Sequence, residues 1–389
     1  MKIAIISEYP IALRGGVSVL IEVLISELSK RHKMIFVSPD TPEEISQSKI
    51  LPFLEKHITW KFPKPSRANA KFLTKAIAGS GAEIAHFHFG GNFGWGTRQM
   101  GTSPIPYLAQ CGIQVYTTVH SVGGALEGFC GPQRALITKL ALFPFALAGK
   151  LSTLANVVRE IAVSRHDQLL LQRLYAPFSH KIIQFYHSKI HDYELQRQPR
   201  NDTPVILNVG HVARKKGQHV LVEAFCKIAY KHPGWKVLLA GDVLDPEIAL
   251  EIKTMAIEHH MEDRVLLLGP RTDTTALMRE CSVYVQPSIL EALGLALQEA
   301  MATGCACIGT RTGGIPELIS HQKTGLLVSI NNVDELASAL DTLIINPELR
   351  SEFGLRASSA IKDNGMTVES MVDNYLRLYE KSNEAILPK

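Results

Sequence analysis

Several protein classes are excluded by what the sequence lacks. It contains six cysteines, at positions 111, 130, 226, 281, 305 and 307, and no Cys-x-x-Cys pair, so neither a disulfide scaffold nor a structural zinc site is expected. No segment approaches the ~20 apolar residues that a transmembrane helix requires. The first residues, Met1 to Ser7, turn polar too early for the apolar core of a secretory signal. We therefore expect a cytoplasmic protein with reduced, buried cysteines.

An excess of one charge is also missing. The chain has 41 Lys and Arg against 37 Asp and Glu, a net charge of +4, and its one basic cluster is the run Arg214 to Lys216. This balance gives no indication of nucleic acid binding, and a slight basic excess suits a phosphorylated ligand. The 389 residues, 46% of them hydrophobic, suffice for two to three domains with ordinary cores.

Short apolar runs that alternate with longer helical patterns predict parallel sheets. The run at residues 2–7 is followed by Gly15-Gly16 and by apolar positions 17, 20, 21, 24, 25 and 28, which share one face of a helix. Further strands are predicted at residues 34–38, 83–89, 114–120 and 160–164, and in a second series at 205–209, 236–240, 264–268, 283–286, 306–309 and 325–328. Such an alternation is typical of βαβ units.

The two series are separated by a polar, proline-bearing stretch at residues 196–204, which reads as a linker. We therefore predict an α/β protein with two doubly wound, Rossmann-like halves divided near residue 195. Ligands of such sheets bind beyond the carboxyl ends of the strands, so two facing sheets would place the site in the cleft between them.

The motif with the most information begins at Glu291. Gly294 opens a predicted helix at 295–303, whose first turn offers unpaired N–H groups, including those near Leu293 and Leu295, and a partial positive charge for a diphosphate. Glu291 precedes this turn and Glu299 follows it, and carboxylates accept hydrogen bonds well from sugar hydroxyls. One strand later, the Gly313-Gly314 turn would let the backbone pass close to a ligand. Together these features predict a site.

A second group of residues suits a diphosphate. Gly210 ends the first strand of the second half, and Arg214, Lys215 and Lys216 follow it. The negative charge of a diphosphate needs a positive group to balance it. Enzymes that bind such a group through a divalent metal typically present Asp-x-Asp, which the sequence does not contain. We therefore expect Lys216 and helix N-termini to act without a metal, whereas Arg214 and Lys215 also fit a solvated basic turn.

The ordered series resembles the retaining GT-B glycosyltransferases of the group 1, or GT4, class. Glu291 is followed after seven residues by Glu299, then by Ala300-Met301-Ala302-x-Gly304, Gly313-Gly314-x-Pro316-Glu317 and Thr324-Gly325-Leu326-Leu327-Val328. The resemblance is strong over residues 204–330 and weaker in the first half. It implies two Rossmann-like domains at 1–195 and 196–366, facing across a cleft, and a last helix within 367–389 that crosses back to the first domain.

The resemblance also implies an activity: transfer of a sugar, with retention, from a UDP- or GDP-linked donor to an acceptor hydroxyl, without a cofactor. Glu299 would bind the ribose, Glu291 the donor sugar, and Lys216 the diphosphate. His120 matches the active-site histidine that contacts the donor sugar, and Gly15-Gly16 matches a loop that approaches the donor phosphate.

One position departs from the family pattern G-R-x-x-x-x-K-G. His211 stands where the family has arginine, so the second cation is either Arg214 or a protonated His211. The departure also supports one alternative, a non-catalytic subunit that keeps the fold. Another alternative is a nucleotide-sugar 2-epimerase of similar architecture. The favoured role is bacterial surface polysaccharide or glycoconjugate synthesis, with a saccharide, glycolipid or small-molecule acceptor.

Three features of the first half have two interpretations each. His86 and His88 would project to one face of a strand, where they could either begin a metal site or lie at a strand end that faces the cleft, as similar histidines do in the family. No third ligand accompanies them, so zinc is disfavoured. The loop 90–96 carries aromatic residues that either stack on a sugar or pin the loop to the core. The apolar segment 135–154 is either a peripheral membrane helix or a buried helix broken at Pro144, and its two lysines are too few for a basic face, which favours the second.

Overall fold

The computed structural model describes residues 1–11, 15–60, 64–123, 136–195 and 203–384. Within them the chain forms two compact units, each described here by itself. Unit 1 comprises Met1–Lys189 and Ser370–Lys389, and unit 2 comprises Ile190–Glu369. The predicted boundaries, after residues 195 and 366, lie a few residues from these. Most of the predicted linker, residues 196–202, lies outside the described residues, as does Cys130.

Unit 1 is built on a seven-stranded sheet with the order β3-β2-β1-β4-β5-β6-β7, in which neighbouring strands are parallel. Its strands are β1 (Lys2–Ser7), β2 (Lys33–Ser38), β3 (Leu54–Thr59), β4 (Ile84–Phe89), β5 (Gln114–Val119), β6 (Arg159–Ala162) and β7 (Ile182–Gln184). Its first helices are α1 (Gly16–Ser29), α2 (Pro42–Ser46), α3 (Arg67–Ala78), α4 (Ile105–Gln110), α5 (Leu136–Asn156) and α6 (Arg165–Leu174). The strand order reverses between β1 and β4, which is the usual ligand position in such sheets.

Unit 2 contains a six-stranded parallel sheet with the order β10-β9-β8-β11-β12-β13. Its strands are β8 (Thr203–Val209), β9 (Lys236–Ala240), β10 (Val265–Gly269), β11 (Cys281–Gln286), β12 (Ala306–Thr310) and β13 (Leu326–Val328). Its helices are α7 (Gln218–Ile228), α8 (Pro246–Glu258), α9 (Thr274–Glu280), α10 (Leu295–Ala302), α11 (Ile315–Leu318), α12 (Val333–Ile345) and α13 (Pro347–Asp363). Here the order reverses between β8 and β11.

The predicted strands are all present, with ends that differ by at most two residues. The sequence does not predict β3 and β7, the two edge strands of unit 1. In β3 the residues Glu55 and Lys56 are exposed, and β7 has three residues, so neither strand shows the apolar run on which the prediction depends.

The last helix, α14 (Val368–Glu384), begins in unit 2 and continues in unit 1. Its buried side chains Met371, Tyr375, Leu376 and Tyr379 belong to the same hydrophobic cluster as Ile3 and Ile5 of β1 and as the buried face of α1. This segment therefore completes the core of the first sheet although it is distant in sequence.

Helix α5 differs from the prediction of a break at Pro144, because it is continuous from Leu136 to Asn156. Its second half contains buried residues, among them Lys150 and Leu154, whereas Ile137 and Phe145 in its first half are exposed. It is the one helix of the described chain whose length and composition would allow it to cross a membrane, a test that core helices also pass. The expectation of a buried helix thus holds for its second half alone.

Candidate active site

In unit 2, Lys216 and Glu291 form an ion pair at the point where the strand order reverses. Lys216 ends the short 3-10 helix Arg214–Lys216 that follows β8, and Glu291 lies in the loop that follows β11. The Lys216 Nζ lies 2.7 Å from the Glu291 Oε2, and both side chains are partly buried. The two loops are also joined by their backbones, because Ile289 N–H donates to the Lys215 carbonyl at 2.8 Å. Both residues are predicted from the sequence as candidates, and the fold brings them into contact.

A polar network behind Glu291 holds its carboxylate in place. The same Oε2 accepts hydrogen bonds from Gln286 Nε2 and from Ser288 Oγ, each at 3.0 Å. Gln286 in turn accepts a hydrogen bond at 2.8 Å from the hydroxyl of buried Tyr284. Burial raises the pKa of Tyr284 well above its usual value, so it remains a neutral donor. Gln286 and Ser288 are not predicted from the sequence, although polar residues at the end of an apolar strand are a recognisable signal.

Helix α10 starts beside this pair without a side-chain cap. Its N-cap, Gly294, has a φ of 98°, a left-handed conformation that favours glycine. An uncapped first turn presents backbone N–H groups and a partial positive charge, which suits an anion. Leu293 before the turn is buried, and Glu299 in the second turn is 8% exposed. As predicted, the connection from β11 to α10 carries Glu291 before the helix start and Glu299 after it.

The Gly313-Gly314 turn packs against the loop that carries Glu291, a contact that the sequence does not indicate. A Cβ on Gly313, whose φ is 50°, would lie 1.6 Å from the Glu291 carbonyl oxygen. Gly314 N–H also donates to the Ala292 carbonyl at 3.1 Å. The close approach expected of this turn is thus made to the backbone that carries Glu291, so the turn supports the loop of the site.

The remaining residues after β8 are engaged in different ways. Arg214 pairs with Glu251 of α8 at 2.9 Å, and both side chains are exposed, which favours the solvated basic turn for Arg214. Lys215 is exposed. The Nδ1 atom of His211 is buried and has no partner in the described part of the chain, and the His211 carbonyl accepts a hydrogen bond from Gln218 at 3.0 Å. Gly210 has open space where a Cβ would stand.

In unit 1, the predicted residues lie at the start of α1 and at the end of a central strand. Gly15 is the N-cap of α1, again without a side-chain cap, and Gly16 is the first helical residue. His120 directly follows β5, and its backbone N–H donates to the Phe89 carbonyl at 2.9 Å. Its Nε2 atom lies 3.0 Å from the Nδ1 atom of His88. Desolvation lowers the pKa of His120 to about 3, so the ring is neutral at physiological pH.

The loop 90–96 is held against the core. Trp95 makes an edge contact with Trp60 at a centroid distance of 4.7 Å, and Phe93 is buried. The carboxylate of Glu8, just after β1, accepts hydrogen bonds from the backbone N–H groups of Trp95 and Gly90. Of the two interpretations of this loop, pinning by Trp95 agrees with these contacts. No group of three or more His, Cys, Asp or Glu side chains in the described residues could hold a metal ion.

Comparison with known proteins finds a family model that is similar to unit 2. The model of the glycosyl transferases group 1 family matches residues 192–359, less than half of the chain. N-acetyl-alpha-D-glucosaminyl L-malate synthase of Bacillus anthracis is 34% identical over 175 residues, 45% of each chain. The lipopolysaccharide core biosynthesis mannosyltransferase LpcC of Rhizobium leguminosarum is 29% identical over 157 residues, 40% of this chain and 45% of its own. The matched regions thus span about half the length of these relatives.

Solved structures match nearly the whole chain. A glycosyltransferase from Rickettsia africae has a TM-score of 0.75 at 22% identity, and the match covers 98% of each chain. Anabaena HepE in complex with UDP has a TM-score of 0.75 at 16% identity, with 98% of this chain and 100% of its own covered. WaaG, a glycosyltransferase of lipopolysaccharide biosynthesis, has a TM-score of 0.71 at 14% identity, with 96% and 98% covered. At these identities the likeness shows the fold, the GT-B fold of two Rossmann-like domains.

Proposed function

We propose that this chain, which belongs to the glycosyl transferases group 1 family through residues 192–359 and has the GT-B fold, transfers a sugar from a nucleoside diphosphate donor to an acceptor hydroxyl. The observation that carries the proposal is the Lys216–Glu291 ion pair beside the uncapped start of α10, at the point of strand reversal in unit 2. These groups lie at one edge of the sheet. The cation and the helix N–H groups suit the diphosphate of such a donor, and the carboxylates suit its hydroxyls.

In the proposed reaction, the bond between the anomeric carbon and the diphosphate oxygen breaks. The acceptor oxygen bonds to this carbon from the same face, and its proton passes to the leaving phosphate. Lys216 and the start of α10 balance the charge that develops on the diphosphate. Glu291 binds the donor sugar, Glu299 binds the ribose, and His120 of unit 1 contacts the sugar. Attack from the same face retains the anomeric configuration, and no metal ion or other cofactor takes part.

The first experiment identifies the nucleotide. The full chain is titrated with UDP, GDP and ADP by calorimetry, and its thermal midpoint is followed with each. Because a ligand that binds the folded state stabilises it, we expect a higher midpoint with UDP or GDP. UDP is the first choice, since a structural neighbour was solved with it. A chain that binds none of the three at millimolar concentration would contradict the proposal and favour a non-catalytic subunit.

The second experiment tests the assigned residues against matched controls. Lys216→Ala should lower turnover ~10²–10³-fold, as expected when a group that stabilises transition-state charge is removed. Lys215→Ala removes an exposed neighbouring lysine and should change little. Glu299→Ala should weaken nucleotide binding ~10–100-fold, because a hydrogen bond to a carboxylate contributes ~1.5–3 kcal/mol. Glu258→Ala, at an exposed position of α8, is its control. Equal effects within each pair would overturn the assignment.

The third experiment examines the product. Proton NMR of the transferred sugar should show the anomeric configuration of the donor, and turnover should be unchanged by EDTA. Inversion would refute the same-face route, and loss of activity restored by a divalent ion would refute metal independence. Incubation with the donor alone should leave the sugar unchanged, whereas an epimerised donor would identify a 2-epimerase.

We propose an acceptor in bacterial surface polysaccharide or glycoconjugate synthesis: a saccharide, a glycolipid or a small molecule. The names of the relatives include both a malate synthase and a lipopolysaccharide core enzyme, which supports the class of reaction and leaves the acceptor to experiment. Peripheral membrane contact remains a prediction, for which the exposed Ile137 and Phe145 are the natural test positions. Co-sedimentation with anionic vesicles, compared between the native chain and an Ile137→Ser/Phe145→Ser variant, checks it.

A further inference from the structure

Unit 1 contains a group of four histidines that the proposed function uses only in part. His86 and His88 belong to β4, His120 follows β5, and His187 follows β7. Each ring contacts the next one in this order. The centroid distances are 4.6 Å between His86 and His88, 5.3 Å between His88 and His120, and 5.4 Å between His120 and His187. We refer to these four residues as the histidine cluster.

Each ring of the histidine cluster carries a single proton at neutral pH. Burial and the neighbouring rings lower the pKa of His86 to about 3 and the pKa of His88 and His187 well below their usual value. His120 is lowered to about 3 by desolvation. A neutral imidazole has one N–H donor and one acceptor nitrogen, so the hydrogen-bond partners decide which nitrogen is protonated.

Two ring nitrogens in the cluster are buried and have no partner in the part of the chain that the structure describes: His88 Nε2 and His187 Nδ1. A proton on either atom would leave a buried N–H donor unsatisfied, and orphaned N–H groups are rarer than under-satisfied acceptors. The proton of each ring therefore belongs on its partnered nitrogen. His88 then donates from Nδ1 to His120 Nε2 at 3.0 Å, and His187 donates from Nε2 to the Tyr375 oxygen at 2.7 Å.

The second bond starts a chain in which the donors follow one direction. Because Tyr375 accepts from His187, its hydroxyl is free to donate to Thr118 Oγ1 at 3.2 Å. Thr118 then donates to His86 Nε2 at 2.8 Å, and His86 donates from Nδ1 to the Tyr379 oxygen at 2.6 Å. Each group from His187 to His86 donates once in this chain. Tyr375 and Tyr379 of α14 thereby hold the rings beside His120.

The hydrogen bond from His88 also determines which nitrogen of His120 carries the proton. Its Nε2 accepts from His88, so its single proton lies on Nδ1, and this atom is the one that remains for a ligand. We propose that His88 is a positioning residue that fixes the ring of His120 as an Nδ1–H donor, directed to an oxygen of the donor sugar. This inference rests on the proposed function for the role of His120, but the hydrogen bond itself is independent of it.

The test combines a spectroscopic signature with kinetics. The full chain is labelled with ¹⁵N-histidine, and the ring resonances of His120 are assigned by their loss in His120→Asn. Long-range ¹H–¹⁵N spectra distinguish the two neutral tautomers. We expect the Nδ1–H form in the native chain, and a mixture or the Nε2–H form in His88→Leu. In His88→Asn the side-chain amide stands where Nδ1 stood and should restore the native form.

The kinetic arm uses the same variants with His57→Leu as control, a partly buried histidine of β3 outside the cluster. His88→Leu should lower kcat ~10–100-fold, with the UDP or GDP dissociation constant unchanged because unit 2 residues bind the nucleotide. His88→Asn should recover most of the rate, and His57→Leu should leave it near native. A native His120 in the Nε2–H form would overturn the inference, as would a His88→Leu variant with the native tautomer and rate.

Failure of the inference is distinguishable from failure of the proposed function. A chain that neither binds nucleotides nor transfers sugar refutes the function, whereas the tautomer of His120 is still measured in it. Conversely, an active enzyme whose His120 tautomer is independent of His88 refutes the inference alone. If His88→Leu does not fold, the native spectrum and His88→Asn still decide the question.

Discussion

Lys150 and Glu160 form a fully buried ion pair in unit 1, with 2.5 Å between Nζ and Oε2. Thr117 also donates a hydrogen bond to the same carboxylate oxygen at 3.1 Å, and the Lys150 ammonium lies 5.4 Å from the Tyr175 ring centroid. Such a pair contributes little net stability compared with apolar residues, but the loss of one partner leaves an uncompensated buried charge. The pair thus constrains which substitutions α5 tolerates.

We expect Lys150→Met to lower the free energy of unfolding of unit 1 by ~3–5 kcal/mol. The measurement is urea unfolding by tryptophan fluorescence in a Trp235→Phe background, where the two remaining tryptophans, Trp60 and Trp95, both lie in unit 1. Adding Glu160→Gln to Lys150→Met should recover part of the loss. Lys227→Met, which breaks an exposed pair with Asp334, is the control for unit 2. It is followed by Trp235 in a Trp60→Phe/Trp95→Phe background and should cost much less. Similar losses in both would contradict the buried-charge explanation.

Glu8 makes a pH-dependent contribution to the stability of unit 1. Burial raises its pKa to about 7, against the hydrogen bonds from Trp95 and Gly90 that lower it. The folded state therefore binds a proton that the unfolded state releases near pH 4.5. It follows that the contribution of Glu8 to stability is complete below about pH 4.5 and is lost as the pH rises to about 7.

Glu8→Gln removes this titration. We expect the thermal midpoint of the variant, relative to the native chain, to rise between pH 5 and pH 7 and to level off at pH 8. Differential scanning at these values measures it, with ionic strength held constant. A difference that does not vary with pH would show that Glu8 stays ionised in the folded protein.

At the scale of elements, the loop after β11 is held by two neighbouring turns. Gly217 follows Lys216 with a φ of 71°, and a Cβ there would lie 2.0 Å from the Pro287 carbonyl oxygen. Gly313 approaches the Glu291 backbone. Two turns that follow different strands therefore fix the position of the loop that carries Glu291, which explains why the glycine motif and the glutamate occur together.

We expect Gly313→Ala to weaken UDP or GDP binding at least ~10-fold, because the added methyl group displaces the loop that carries Glu291. Gly269→Ala is a matched control, since Gly269 also has a positive φ, 66°, but no atom within 4 Å of its Cβ position. It should cost ~1–2 kcal/mol in stability through backbone strain and leave nucleotide affinity unchanged. Calorimetry with both variants checks this, and unchanged affinity in Gly313→Ala would show that the loop adapts.

At the scale of the whole molecule, the last helix ties the end of the chain to the first sheet. Full burial of a large apolar side chain contributes ~1.5–3 kcal/mol, so the four buried residues of α14 together contribute an amount comparable to the stability of a typical domain. Tyr375 and Tyr379 also satisfy the histidine cluster. Unit 1 is therefore incomplete without residues from the end of the chain.

Truncation after Glu369 should abolish cooperative unfolding of unit 1, followed by Trp60 and Trp95 in the Trp235→Phe background. The matched control is truncation after Glu384, which keeps every contact of α14 described here and should leave the transition unchanged. In a Trp60→Phe/Trp95→Phe background, Trp235 reports on unit 2, whose transition should survive the longer truncation. A cooperative native-like transition of unit 1 after truncation at Glu369 would refute the role of the helix.

Much of the fold and part of the site could be predicted from the sequence. Apolar periodicity reports burial of a local face, so it located the central strands and the helices between them. Turn and helix-start chemistry is equally local, which is why it predicts Glu291, Gly294 and Lys216 as residues of one candidate site. The edge strands β3 and β7 escaped because exposed or very short strands carry no such pattern.

The features that the sequence does not predict depend on contacts between distant parts of the chain. His86 forms a hydrogen bond with Tyr379, which lies 293 residues later in the chain. Arg214 pairs with Glu251, whereas its neighbour Lys216 pairs with Glu291. No local pattern encodes such pairs, because strand order and the return of the last helix decide which side chains become neighbours. The sequence alone thus determined the sheets and the chemistry at their edges. The tertiary structure decided which histidine nitrogens, carboxylates and turns act together, since burial and hydrogen bonding are properties of the assembled core.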